Sequence, residues 1–367
     1  MKMKRCSKCV LPESYPGIKF NKKGVCNYCL NYKKITIKGK KAFENKISKF
    51  KNNSNNKYDC IIGVSGGRDS SYVLYQLVTV YKLKVLACTF KCGIQSELGE
   101  RNAKKMCELL KVDHVIFPYK IKKNLKMLRK NFLAWIKKPS VAMIPILMLA
   151  DKTMEHYMRK VAKKYSIKLF FDAESAVEWT PFKSAFLGVY LEGHDLGFFK
   201  KLNLLIGYFK EYLKNPRYFL TFDPIENLFG FLAFFQGNLF HKDIELVRYF
   251  DYFKWDENEI VSTIKKKLDW ELPTDTIMTW RNDDLMPPLY NYLYYKMTGF
   301  TENDELRSNM IRNDMIKRSE ALKLLNKENK IRWFSIEKLF NKKLKLSSSL
   351  LDKVPYHKCV DKNIFTK

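Results

Sequence analysis

The chain has 367 residues, 46% of them hydrophobic and 29% charged. That is long enough for two domains and a small module around a real core. It is too apolar for a disordered chain and too interrupted by charge for a bundle of membrane spans. Lysine and arginine number 68 against 38 aspartates and glutamates, a formal charge of +30, which suits polyanionic partners: nucleic acid, an anionic membrane surface, or phosphate-bearing small substrates. Much of the excess sits in Lys/Asn/Ile-rich runs at 33–41 and 46–57, whose ordinary role is a solvated surface.

In chain order, residues 1–35 carry Cys6-x2-Cys9 and Cys26-x2-Cys29, separated by 16 residues, with turn formers Pro12, Pro16, Gly17 and Gly24. Two thiolate pairs on tight knuckles predict a closed, structural Zn2+ site. Free cysteines and an iron–sulfur cluster are the other readings. No apolar stretch follows the basic N-terminus, so no secretory leader is expected. The most apolar segments, 141–150 and 228–235, are well short of the roughly 20 residues of a membrane span. A cytoplasmic, reducing location is therefore expected for this cysteine set.

A Lys/Asn-rich stretch to Lys57 mixes a short helix with a connector. From Tyr58, short apolar runs alternate with helical ones: strands at 60–64, 84–90, 114–117 and 168–171, helices at 69–80 and 97–110. Such alternation predicts an α/β fold, a parallel sheet with helices on both faces. After about residue 186 the chain is aromatic-rich, lysine-rich and mainly helical. Segment 198–253 is expected to form an aromatic helical core, a membrane-facing amphipathic surface being the other reading. The expected domains are 1–35, 36–185 and 186–367.

Between the first strand and helix lies Gly63-Val64-Ser65-Gly66-Gly67-Arg68-Asp69-Ser70. Adjacent glycines let the backbone turn sharply and aim successive N–H groups at an anion, and the helix N-terminus adds positive potential. Neither the second glycine nor the lysine of the Gly-x4-Gly-Lys nucleotide loop is present. The run instead resembles the Ser-Gly-Gly-x-Asp-Ser signature of the PP-loop ATP pyrophosphatases, with their adenine-nucleotide α-hydrolase fold. That resemblance implies cleavage of ATP to AMP and pyrophosphate. Ser65, Gly66, Gly67 and Ser70 would hold the pyrophosphate, Asp69 would help bind Mg2+, Arg68 would add a cation beside the phosphates, and Thr89 and Phe90 would join the nucleotide site.

Further stretches are similar to the N-acetyl sugar amidotransferases of surface-polysaccharide and flagellin-sugar biosynthesis. They are Cys-Ser-Lys-Cys-Val10, Gly24-Val-Cys-Asn-Tyr-Cys29, Ser96-Glu97-Leu98, Thr279-Trp280-Arg281-Asn282-Asp283, Asn291-Tyr-Leu-Tyr-Tyr-Lys296, Gly299-Phe300, Ser308-Asn-Met-Ile-Arg312 and Arg318-Ser-Glu-Ala-Leu322. The likeness implies conversion of a sugar acetamido group to acetamidino through an O-adenylyl intermediate, on an N-acetylated, nucleotide-linked or free sugar. Glu174 matches a family Gly-Glu-Asn turn and Glu178 a Glu-Tyr-Gly, although Ala173 and Trp179 depart from the pattern. Glu174 is thus expected in the catalytic set, and Glu178, Arg281, Asp283, Asn309 and Arg312 near substrate.

The sequence carries no nucleophilic cysteine with a histidine partner of the glutaminase kind. The resemblance accordingly implies ammonia from a separate glutaminase subunit, with a cyclase-like barrel protein as a further partner. The rival is a PP-loop tRNA-thiolating enzyme, which pairs metal cysteines with the same loop and suits a basic chain. It would need a reactive thiol near the loop, for which Cys88 and Cys92 are the imperfect candidates; there and at Cys107, buried structural thiols are expected.

Overall fold

The computed structural model describes residues 3–51, 56–148, 151–190, 197–221 and 243–360. The apolar segment 228–235 and the end of 141–150 lie outside these. At the centre is a five-stranded sheet in the order β3-β2-β1-β4-β5, parallel throughout. Its strands are β1 (Cys60–Gly63), β2 (Val85–Lys91), β3 (Asp113–Pro118), β4 (Leu169–Asp172) and β5 (Glu245–Arg248).

The strands are short apolar runs because both faces are covered, and alternate residues feed separate cores. Cys60, Ile62, Val85, Ala87, Leu169 and Phe171 pack on one side with α1 (Lys40–Ser48), α2 (Arg68–Tyr75), α3 (Glu97–Leu109) and the later helix α7 (Glu257–Leu268). Ile61, Leu86, Cys88 and Phe170 pack on the other side with Met158, Val161 and Ala162 of α5 (Asp151–Lys164). Between these helices in sequence lie α4 (Ile121–Trp135) and α6 (Phe198–Lys214).

Two features differ from the sequence reading. The mainly helical region contributes β5, which adds to β4 through Leu169↔Glu245 to Asp172↔Arg248; Glu-Leu-Val-Arg is too short and polar to announce a strand. Helix α6, expected in an aromatic core, has no buried residue. The buried aromatics of the described segment are Tyr218, Tyr249, Phe250 and Tyr252.

The C-terminal helices α8 (Met286–Thr298), α9 (Glu302–Arg312) and α10 (Arg318–Glu328) carry the cysteine module. Ten of the eleven residues of α9 are buried although most are polar or charged, and Thr301 and Asp304 close its start as a capping box. Each buried charge is met by a distant partner. Arg307 pairs with Glu257 at 2.5 Å and with Glu328, Glu302 with Arg281 and Lys183, and Asp304 with Arg5 at 2.5 Å. Tyr15 donates its hydroxyl to Glu305, and Arg318 donates to the carbonyls of Cys6 and Cys9. Among the described residues, no helix is long and apolar enough to cross a membrane.

Candidate active site

After β1 the chain winds outward through β2 and β3, then returns to place β4 on the opposite side of β1. The crevice at the carboxyl ends of β1 and β4 is thus a topological switch point, where α/β sheets bind ligands. The loop 63–70 leaves β1 there and enters α2.

The loop's shape is dictated by close backbone approach. Gly66 has φ +83°, and a Cβ on it would lie 1.9 Å from the Gly99 carbonyl oxygen. Gly99 is itself pressed on Asp283, whose backbone would lie 2.7 Å from a Cβ there. Three segments therefore stack with no room for side chains: the loop, the first turn of α3 and residues 282–283. Ser96 locks the stack. Its hydroxyl accepts from the Gly99 N–H and donates to the Asn282 carbonyl at 2.8 Å, while its N–H donates to the Asp283 carbonyl at 2.9 Å. From the far side the Trp270 indole donates to the Gly66 carbonyl at 2.8 Å.

Ser65 and Ser70 face each other with hydroxyls 3.2 Å apart. Asp69 is fixed at both oxygens, accepting from the Trp255 indole at 2.8 Å and from Arg68 Nε at 3.1 Å. Asp283 brings a second carboxylate against Gly67 and shares a hydrogen bond with Ser65; burial pushes its carboxyl up. Paired hydroxyls, turned backbone and two carboxylates suit a phosphate ester held with a hard divalent cation such as Mg2+, which takes oxygen ligands.

Arg68 does not face the phosphate cradle. It is 1% exposed, and its guanidinium is consumed beneath the loop by Glu178 at 2.5 Å, Glu257 at 2.6 Å, Thr279 at 2.5 Å and Asp69, with the Trp255 ring 4.8 Å away. Burial opposes charge on Glu257, but Arg68 and Arg307 outweigh it and hold the carboxyl at about 2. Burial and the neighbouring Asp69 push Glu178 up to about 8 against the pull of Arg68. The expectation of a cation beside the phosphates is corrected here: a guanidinium with its donors committed to protein oxygens positions Asp69 instead.

Glu174 stands exposed at the end of β4, its N–H on the Asp172 carboxylate at 3.0 Å. Partial desolvation and the adjacent Asp172 raise its carboxyl. Arg248 at the end of β5 lies 3.7 Å from Asp172 and adds a cation that sequence reasoning missed. Glu178, expected near substrate, is instead buried on Arg68. Asn309 is buried too, donating to the carbonyls of Val177 and Trp179 at 3.0 and 3.1 Å, so it holds the 174–179 turn rather than a ligand. Arg312 is buried against the cysteine cluster, its guanidinium 3.7 Å from Cys9 Sγ, and it too is away from the crevice. Arg281 is half-exposed between Glu302 and the Trp280 ring.

Thr89 lies under the loop with its hydroxyl donated to the Val64 carbonyl at 2.5 Å and 2.7 Å from His114 Nε2. Phe90 belongs to an aromatic cluster with Phe117, Tyr119 and Tyr157. Trp255, Glu257 and Trp270 also escaped sequence reasoning, because no spacing links them to the loop, and Thr279 figures there only as part of a resembling stretch.

Cys6, Cys9, Cys26 and Cys29 are buried with all four sulfurs within 4.8 Å of one another. The Cys9–Cys26 and Cys6–Cys29 separations are 3.8 and 4.0 Å. Bonds of about 2.3 Å to one tetrahedral ion give sulfur–sulfur edges of about 3.8 Å, so the cluster fits a single metal ion. An iron–sulfur cluster would hold thiolates further apart. Cys6 Sγ also accepts the N–H groups of Lys8, Cys9 and Cys26, as a metal thiolate does. Cys88 and Cys107 are buried, which pushes both thiols to about 12.

No protein-family model matches the chain. No curated protein matches it either. Among solved structures it is similar to NMN synthetase from Francisella tularensis, at 14% identity and TM-score 0.38, over 84% of this chain and 94% of that one. The U34-tRNA thiolase NcsA from Methanococcus maripaludis, with its 4Fe–4S cluster, is similar at 15% identity and TM-score 0.35 over 89% of both chains. The NH3-dependent NAD synthetase from Campylobacter jejuni gives 16% identity and TM-score 0.28, over 56% of this chain and 94% of that one. Likenesses this distant leave the chemistry to be argued from the site.

Proposed function

We propose that the protein is an ATP-dependent, AMP- and pyrophosphate-forming amidotransferase that converts a sugar acetamido group to acetamidino, taking ammonia from a separate glutaminase subunit, with a cyclase-like barrel protein as a further partner. The observation that carries the ATP chemistry is the Ser65–Ser70 cradle at the switch point with the Asp69 and Asp283 carboxylates beside it. The sugar acceptor rests on the sequence resemblance around Trp280, Asn291 and Arg312.

An amide carbon is a poor electrophile, so the amide oxygen must first become a leaving group. It would attack the α-phosphorus as the bond to the bridging oxygen breaks and pyrophosphate departs. Ammonia then bonds to the imidate carbon, the C–O bond to AMP breaks, and the amidine nitrogen sheds a proton. In this scheme the loop N–H groups and Ser65 and Ser70 bind the departing pyrophosphate. Asp69 and Asp283 hold Mg2+, which offsets phosphate charge. Glu174, raised and reachable from the crevice, takes the proton. The four cysteines hold a structural Zn2+.

Net charge of +30 favours the second reading, tRNA thiolation. The high-pKa Cys88 thiol weighs against it, since a thiolate is the reactive form. The test is pyrophosphate release from ATP and Mg2+ with ammonium, comparing N-acetylated sugars and sugar nucleotides with unmodified tRNA, followed by mass spectrometry of the acceptor. Sugar-dependent release with O-for-NH exchange on the sugar is expected. Turnover that requires tRNA and a sulfur donor would overturn the reading. Asp69→Asn should cut release by about 10²–10³ in a chain that still folds.

A further inference from the structure

Helix α6 is anchored on one side and bare on the other. Gly207 packs on Leu187, Glu211 accepts the Ser140 hydroxyl, and Asn215 donates to the Ala134 carbonyl at 2.9 Å. Opposite these, Phe198, Phe199, Leu202, Ile206, Phe209 and Leu213 are 40% to 77% exposed. At 3.6 residues per turn these six positions fall within one arc about 100° wide. The turn Arg217–Thr221 extends the patch with exposed Phe219 and Leu220.

Lys210 and Arg217 are exposed toward the C-terminal end of the stripe, while Lys214 is held on Glu211 at 2.6 Å. The one acidic residue of the helix, Glu211, is turned to the protein body. A continuous apolar stripe with a cationic rim and no outward acid is the pattern of a helix lying in a membrane interface.

We infer that α6 docks the protein onto an anionic lipid surface, its phenylalanines and leucines entering the headgroup–acyl boundary and its lysines meeting lipid phosphates. Charge decides among occupants. A second copy would bring another basic rim and another +30 molecule against the first, whereas an anionic leaflet attracts both. Seventeen residues with five lysine or glutamate side chains lie along the surface rather than across it.

The test is flotation of the full-length protein with phosphatidylcholine vesicles, with and without phosphatidylglycerol, at low and high salt. Binding to the anionic vesicles and weak binding to neutral ones is expected. Phe199→Ser with Phe209→Ser should weaken binding about tenfold or more at either salt. Lys210→Glu with Arg217→Glu should weaken it at low salt alone. Both variants change solvent-facing positions away from the loop, so unchanged circular dichroism and pyrophosphate release verify the fold. No binding by the wild-type chain, or binding indifferent to both variants, overturns the inference. So does a wild-type dimer in sedimentation that the phenylalanine substitutions dissolve, which would assign the stripe to a second copy.

Discussion

Arg68 lies between two possible roles that leave different traces. A phosphate contact, once removed, would cost turnover and leave stability alone. The buried guanidinium instead compensates Glu178 and Glu257. Arg68→Met should therefore lower unfolding free energy by about 3–5 kcal/mol, the scale for a stranded buried charge; denaturant unfolding at neutral pH measures it, and an unchanged midpoint would sink the assignment. Glu257 makes a linked prediction. Its folded pKa of about 2 lies below the unfolded value near 4.3, so its contribution is complete above the unfolded value and drains away as pH falls toward about 2. Glu257→Gln should accordingly be clearly less stable than wild type at pH 6, with the gap narrowing by pH 3.5. A gap of constant size would show that Glu257 acts through packing alone.

At the scale of elements, the four-cysteine module and the loop are joined by α9. Arg312 reaches Cys9 Sγ at 3.7 Å and Asn309 Oδ1 at 2.8 Å, and Asn309 holds the carbonyls flanking Glu178, which pairs with the arginine that orients Asp69. Asn309→Ala should keep one equivalent of bound zinc while slowing pyrophosphate release, and Cys26→Ser should lose both; metal analysis beside the release assay separates them. If Asn309→Ala left release untouched, the relay would be a packing coincidence. Much of this architecture was legible in advance. Runs such as Cys60-Ile-Ile-Gly have the strand period, the double cysteine pairs have ligand spacing, and Gly66-Gly67 marks a backbone approach that only glycine permits. Helix α9 was not legible, because Glu-Asn-Asp-Glu-Leu-Arg reads as a solvated surface until Arg5, Lys183, Glu257 and Arg281 arrive from remote parts of the chain. For the same reason Arg68, Asn309 and Arg312 were expected at the ligand: polar identity suggests a site, but the partner that consumes the side chain is set by tertiary contacts.

The molecule as a whole is organised around a sheet that its own sequence interrupts. Residues 173–244 separate β4 from the β5 strand that pairs with it, and Trp255, Trp270 and Asp283 clamp the loop from beyond that excursion. A fragment ending at residue 185 would leave the Leu169–Asp172 edge unpaired and strip the buried Arg68 of Glu257 and Thr279. Such a fragment should aggregate or stay expanded in size-exclusion chromatography, and a compact, ATP-cleaving 36–185 fragment would refute this. The same arrangement sets an order of events during synthesis. The loop leaves the ribosome early, yet its carboxylate partner and two indole clamps follow only with residues 255–283, so long-range pairing gates its assembly. If the loop cleaves ATP as proposed, a nascent chain is thereby kept from wasting nucleotide: the cradle is translated first and armed last.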